Sequence, residues 1–243
     1  MSARFVSLSR GLGFLSLAAL AACGGPQLRD YQVVGGAVEM TDIPFYPQDA
    51  YQEAPAALAE MLAAVGVQVS PEELLPQVYD AKTDDSPQHS LHVAAAHYGR
   101  MPYVLKSKTL DLDVAHAVQA GRPVLVLLRE GLLPRKWHYA VVVGVDPAHN
   151  SYVLRSGRQQ RRVMGYAEFL SAWKDSGYWA MLVLPPGALP ENAVQQDWLD
   201  NAALIEQANG PAQAGVQAYA AATVRWPDSA AAWLGLGRAN VAA

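Results

Sequence analysis

The sequence predicts an α+β fold in which helices come first and an antiparallel sheet comes second. Two observations carry this. Between residues 53 and 121, apolar residues recur at helical spacing and the segments close on glycine. Between residues 123 and 184, apolar residues run in blocks of strand length separated by turn signals. A third observation, an alanine-rich stretch after Pro185-Pro186-Gly187, adds a short all-α tail.

The bulk numbers suit such a domain. The chain has 243 residues, 51% hydrophobic and 16% charged, with a net charge of −4. That is enough apolar residue for a sizeable core. The charge balance argues against a nucleic-acid binder, which would be basic. A local run from Arg155 to Arg162 holds four arginines and reads as a solvated loop.

Taken in order, the chain opens on an address. Arg4 and Arg10 precede an apolar run from Gly11 to Ala22, too short for a stable membrane span. The run ends in Leu20-Ala21-Ala22-Cys23-Gly24, which resembles a bacterial lipobox. The resemblance implies a signal peptide over 1–22, with cleavage before Cys23 and lipidation of its sulfur. It also implies outer-membrane anchoring, since Gly24 stands where an aspartate would favour inner-membrane retention. Cys23 is the chain's single cysteine, so the mature protein would hold no free thiol. Residues 23–40 read as a tether.

A domain is expected over 41–190. Pro44 and Pro47 make the first segment extended. Pro55 fits the first turn of a helix, which Leu58, Met61, Leu62 and Val65 continue on one apolar face before Gly66. Ser70-Pro71-Glu72-Glu73 supplies an N-cap, a proline at the first helical position and acids in the first turn. A third helix is expected from about His89 to Tyr98 and a fourth over 112–120, with a short strand at 103–105 between them. The sheet then reads as strands at 123–128, 138–145, 152–154 and 161–164, a helix over 166–173, and a returning strand at 179–184. Helices at 193–208, 211–223 and 228–242 follow. Ala218-Tyr219, Trp226-Pro227-Asp228 and Trp233-Leu236-Gly237 resemble a tetratricopeptide helix pair, so a partial repeat tail is expected over 191–243. A plain helical cap is the alternative.

Two stretches carry the chemistry. The first is Pro47-Gln48 followed by Gln52-Glu53-Ala54-Pro55-Ala56-Ala57-Leu58. The second is His138-Tyr139-Ala140-Val141-Val142-Val143-Gly144-Val145-Asp146. Together they resemble the peptidase C39-like family of papain-like folds, whose motif reads Gln, a short gap, then Gln-Cys-Gly-Pro-Ala-Ala-Leu, with a histidine strand downstream. Val153 to Gly157 and Tyr178 to Gly187 resemble the family's bacterial lipoprotein branch, which carries tetratricopeptide repeats behind the domain.

The resemblance implies roles residue by residue. A thiolate at a helix N-terminus is favoured by the dipole and by a neighbouring histidine. An upstream glutamine donates to the developing oxyanion, and a third polar group orients the imidazole. Gln48 falls in the oxyanion slot, His138 in the general-base slot and Ser156 near the third-member slot. The nucleophile slot holds Glu53, and the glycine after it is Ala54. A carboxylate sits comfortably at a helix N-terminus, but attack on an amide would leave an anhydride. There is no G-x-S-x-G.

The expectation is therefore a catalytically inactive peptidase homologue that binds a peptide or protein partner in the envelope. Two alternatives stay open. One is a hydrolase using Glu53 and His138 as an acid–base pair. The other is a scaffold whose working surface is the helical tail. His89, His92 and His97 lie close on one helix, but without H-E-x-x-H they read as a partly exposed face. No metal, cofactor or nucleic acid is expected.

Overall fold

The computed structural model describes residues 35–48, 53–79, 87–106, 110–131 and 134–243. Their elements run β1 (Val38–Glu39), α1 (Glu53–Ala64), α2 (Pro71–Val78), α3 (Pro87–His97), β2 (Met101–Val104), α4 (Leu110–Gln119), β3 (Val124–Glu130), β4 (Lys136–Asp146), β5 (Ser151–Ser156), β6 (Gln159–Gly165), α5 (Tyr166–Trp173), β7 (Ala180–Leu184), α6 (Gln195–Gln207), α7 (Ala212–Arg225) and α8 (Ala230–Ala242). The fold is α+β. Its strands form a seven-stranded sheet in the order β2-β7-β3-β4-β5-β6, with β1 added beside β4. Each neighbouring pair is antiparallel.

Alternation along the central strands gives the sheet two buried faces. Leu125, Leu127, Tyr139, Val141 and Val143 meet α1, α2 and α3 in one core. Val126, Leu128, Ala140 and Val142 meet α4, α5 and the last three helices in the other. The continuous apolar runs of β3 and β4 follow from this double burial.

Helix α1 is covered almost all round. Ala54 through Leu62 are buried, and the small side chains of Ala54, Ala57 and Ala59 let it approach the sheet. Helix α2 starts where its caps predict: the Ser70 hydroxyl accepts from the Glu73 amide at 3.2 Å, with Pro71 next.

Three differences from the sequence reading bear on the site. The expected tether over 23–40 does not extend to its end, because Val38 and Glu39 pair with Val145 and Gly144 of β4. Gly144 makes this possible, since a Cβ there would lie 2.9 Å from both Val153 Cβ and the Val38 carbonyl oxygen. Strand β3 runs two residues past Leu128, through Arg129 and Glu130. The arginine run is also not a solvated loop. Arg155 is 2% exposed, with Nη2 donating to the Ile43 carbonyl at 2.6 Å. Arg161 pairs with Glu39 and Arg162 with Glu130. Its residues lie on β5 and β6 and the turn joining them, where neighbouring strands and β1 supply their partners.

The helices after 191 share a core with the sheet. Trp198, Ile205, Ala218, Tyr219 and Ala232 belong to the same buried cluster as Tyr103 and Leu182. The Val194 amide donates to the Tyr103 hydroxyl at 2.9 Å. The α3 histidines serve this packing. His97 Nδ1 lies 2.9 Å from the Ala208 carbonyl after α6, and His92 Nδ1 lies 2.6 Å from the Gln88 carbonyl in its own helix.

Candidate functional site

Strand β4 organises the site. His138 and Tyr139 are consecutive, so their side chains leave opposite faces of the sheet. Antiparallel register fixes their neighbours. His138 faces Leu128 on β3, and Ala140 faces Ser156 on β5.

On the His138 side, Nε2 lies 3.2 Å from Ser156 Oγ and 3.1 Å from Glu130 Oε2. Glu130 is itself held by the Arg162 fork, Nη1 to Oε2 at 2.6 Å and Nη2 to Oε1 at 2.8 Å. Two parallel charge-assisted bonds fix the carboxylate plane. Burial holds the His138 imidazole below its ordinary range. Glu130 pulls the other way, and Arg162 adds to the depression. The ring is therefore neutral at pH 7. A carboxylate only accepts, so the Nε2 facing it carries the proton and Nδ1 is left as the acceptor.

Glu53 lies at the start of α1 and meets the same strand one residue on. Burial raises its carboxyl above the ordinary range. The Tyr139 main-chain N–H and, less strongly, the Lys136 charge pull it back. Tyr79 is drawn into the same corner, where burial first and the Glu53 charge second raise its phenol while the Ala54 N–H donates to it. Glu53, Tyr79, Leu127, Trp137, Tyr139, Asp175 and Ser176 line a cleft of about 450 Å³.

Gln48 is carried on the extended segment before α1 and is 4% exposed. Its N–H donates to the Gly157 carbonyl at 2.8 Å, and its Oε1 accepts from the Gly157 amide at 3.0 Å. Nε2 is buried and has no partner among the described residues. Two buried ionisable groups fasten the segment. Arg155 bonds the Ile43 carbonyl, and Glu60 Oε1 accepts from the Tyr46 amide at 3.0 Å. Glu60 is fully buried, and its carboxyl is raised to about 8. Burial is the main cause, only partly offset by the Tyr46 N–H and then by Arg155.

The structure thus gathers Gln48, His138 and Ser156 at the β4–β5 end of the sheet, with Glu53 against the adjoining strand residue. His138 and Ser156 are in contact. Among the described residues, no hydrogen bond or ion pair joins Glu53 to His138. Cys23 and the segment before residue 35 lie outside the described residues, as does Gln52. Sequence reading missed Glu130 and Arg162. Glu130 was findable by extending the β3 alternation past Leu128, which puts it diagonal to His138 on one face. Arg162 follows once β6 is registered on β5.

A family model described as "Peptidase_C39 like family" matches residues 40–181, more than half of the chain. The chain belongs to the Peptidase_C39-like family. Among solved structures, a putative C39-like peptidase from Bacillus anthracis superposes with a TM-score of 0.52 at 16% identity, covering 62% of this chain and 98% of that one. The peptidase domain of Streptococcus ComA, a bifunctional ABC transporter involved in a quorum-sensing pathway, gives 0.45 at 21% identity, covering 59% of this chain and 98% of that one. No curated protein sequence matches. The first neighbour places this chain's α+β domain on the C39-like fold.

Chemically, the site offers a buried amide donor, a neutral imidazole with a fixed tautomer, and a carboxylate at a helix N-terminus. These groups bind and orient polar atoms well. The described residues hold no cysteine, and the hydroxyl beside His138 shares Nε2 with Glu130, so it does not face a free base nitrogen.

Proposed function

We propose that this C39-like protein is catalytically inactive and uses its cleft to hold an extended peptide or a partner protein's segment in the bacterial envelope. One observation supports this above the rest. Position 53, at the N-terminus of α1, bears a carboxylate turned to the Tyr139 main chain, while His138 is committed through Nε2 to Glu130 and Ser156. A proton-transfer pair would need Glu53 and His138 to meet directly or through a substrate, and no contact between them favours the hydrolase alternative. Gln48 Nε2, unpartnered and buried, suits a peptide carbonyl whether or not that carbonyl reacts.

The test is a peptidase assay on four proteins: natural, His138→Ala, the double variant Glu53→Cys, Ala54→Gly, and that double variant carrying His138→Ala as well. The natural protein is expected to be inert, and the double variant to gain slow hydrolysis that His138→Ala removes. Hydrolysis by the natural protein that His138→Ala abolishes would sink the proposal. Lipidation at Cys23 and outer-membrane anchoring belong to the same reading. Metabolic labelling with a radioactive fatty acid should mark the natural protein and not Cys23→Ser, and fractionation should place it with outer membranes. The likeness of α7 and α8 to a tetratricopeptide pair gains support from Tyr219, whose ring lies where a Gly235 side chain would be, 2.2 Å from its Cβ. That close helix crossing is the kind small residues permit.

A further inference from the structure

We propose that the cleft beside α1 recognises a lysine or arginine side chain of the bound segment, with Glu53 as its charge partner and Tyr79 and Trp137 as its walls. The inference rests on the peptide-binding reading above and adds to it the chemical class of the occupant.

The other carboxylates that line the cleft or touch His138 are already matched. Glu130 is held by Arg162, and Asp175 by Arg135 at 2.9 Å and Arg129 at 3.6 Å. Glu53 differs. Among the described residues its carboxylate is met by one main-chain N–H, and Lys136 acts on it through space only. A carboxylate has about four lone-pair sites, so one N–H leaves most of its accepting capacity unused, and Glu53 lines the cleft. The walls suit a cation. Tyr79 is 41% exposed and Trp137 46% exposed, large for aromatic side chains over a cleft. The Arg129 guanidinium lies 5.3 Å from the Trp137 ring centroid, a cation–π contact this indole already makes.

Other occupants fare worse for electrostatic reasons. An apolar side chain would strip water from Glu53 and return nothing to it. An acidic one would meet like charge. A lysine or arginine keeps the carboxylate ionised and lays its methylene stem along the aromatic rings, as amphipathic cations do.

The experiment is a positional-scanning library of acetylated, amidated hexapeptides screened against the full chain, followed by titrations read through tryptophan fluorescence. The selected peptide is compared with its norleucine and glutamate versions on the natural protein and on Glu53→Gln. Lysine or arginine should be enriched at one position, with norleucine at least about tenfold weaker. Glu53→Gln should reduce that preference to under about threefold by weakening the cationic peptide while the norleucine peptide binds as well as before or better, and should melt no lower than the natural protein. Enrichment of apolar residues, or a cation preference surviving Glu53→Gln, overturns this inference and leaves peptide binding standing. No binding across the whole library overturns both.

Discussion

The carboxylates of α1 and the carboxylate of β3 sit against the same sheet under opposite conditions. Glu130 at the end of β3 is gripped by a bidentate arginine and touches His138. Glu53 and Glu60 on α1 have no lysine or arginine within hydrogen-bonding distance among the described residues, and burial raises both. The difference separates two uses of charge. A neutralised carboxylate fixes a neighbour's geometry, here the imidazole tautomer. An unneutralised one costs stability and waits for a proton or a ligand. Glu60, sealed in the core, is neutralised by a proton. Glu53, open to the cleft, can be satisfied by a cation from outside.

The largest expected effect tests the sealed member. The Glu60 carboxyl is raised from an ordinary 4.5 to about 8. Between these values the folded protein keeps a proton that the unfolded chain releases, so stability falls as pH rises. The contribution is whole below about 4.5 and gone above about 8. At about 1.4 kcal/mol per unit, the full swing is of order 5 kcal/mol. Glu60→Gln keeps an acceptor for the Tyr46 amide without a charge. It should melt with the natural protein at pH 5 and be more stable by a few kcal/mol at pH 9. Equal melting at both pH values would show that Glu60 ionises freely in the folded state. Glu53→Gln should flatten the same slope in the same direction but less, because its site is only half-buried.

The next effect lies on the matched side. Arg162→Ala strands Glu130 at the end of β3 without its fork, a loss of roughly 1–3 kcal/mol for a polar group deprived of its partner. His138 should respond as well. Removing the Arg162 charge and freeing Glu130 to act on the ring both raise the imidazole pKa, which an NMR titration of His138 reads directly. A fall would mean that burial deepens when the fork is lost and that the Arg162 charge is not what acts on the ring.

Much of this architecture was legible in the sequence for a physical reason. Doubly buried strands such as β3 and β4 write themselves as unbroken apolar runs, and α2 carries Ser70 and Pro71 at the positions its start requires. The order of helices and strands followed from local patterns, whereas the slots of Gln48, His138 and Ser156 came from the family resemblance. What the sequence hid depends on register. Whether Glu130 reaches His138 turns on two residues of strand extension. Whether Arg155 is solvated or buried turns on which segment crosses over it, and Ile43 lies 112 positions away. Val38 and Glu39 read as tether because a two-residue strand has no periodicity to display.

The smallest expected effect decides which partner orients the imidazole. Ser156 stands near the position where the family resemblance puts a third member, yet Glu130 makes the shorter contact with the same nitrogen, 3.1 Å against 3.2 Å. A shared Nε2–H is drawn mainly to the charged acceptor, since hydrogen bonds to ionised groups are roughly twice as strong as neutral ones. Ser156→Ala should therefore cost under about 1 kcal/mol, because the donor it loses is still satisfied by Glu130. The nitrogen-15 shifts of His138 should continue to report a proton on Nε2. Glu130→Gln should disturb those shifts more, since its amide can turn either an oxygen or an NH₂ toward the ring. If the serine variant loses the Nε2 proton signature and the glutamine variant keeps it, the hydroxyl orients the ring, and the carboxylate on β3 serves Arg162 alone.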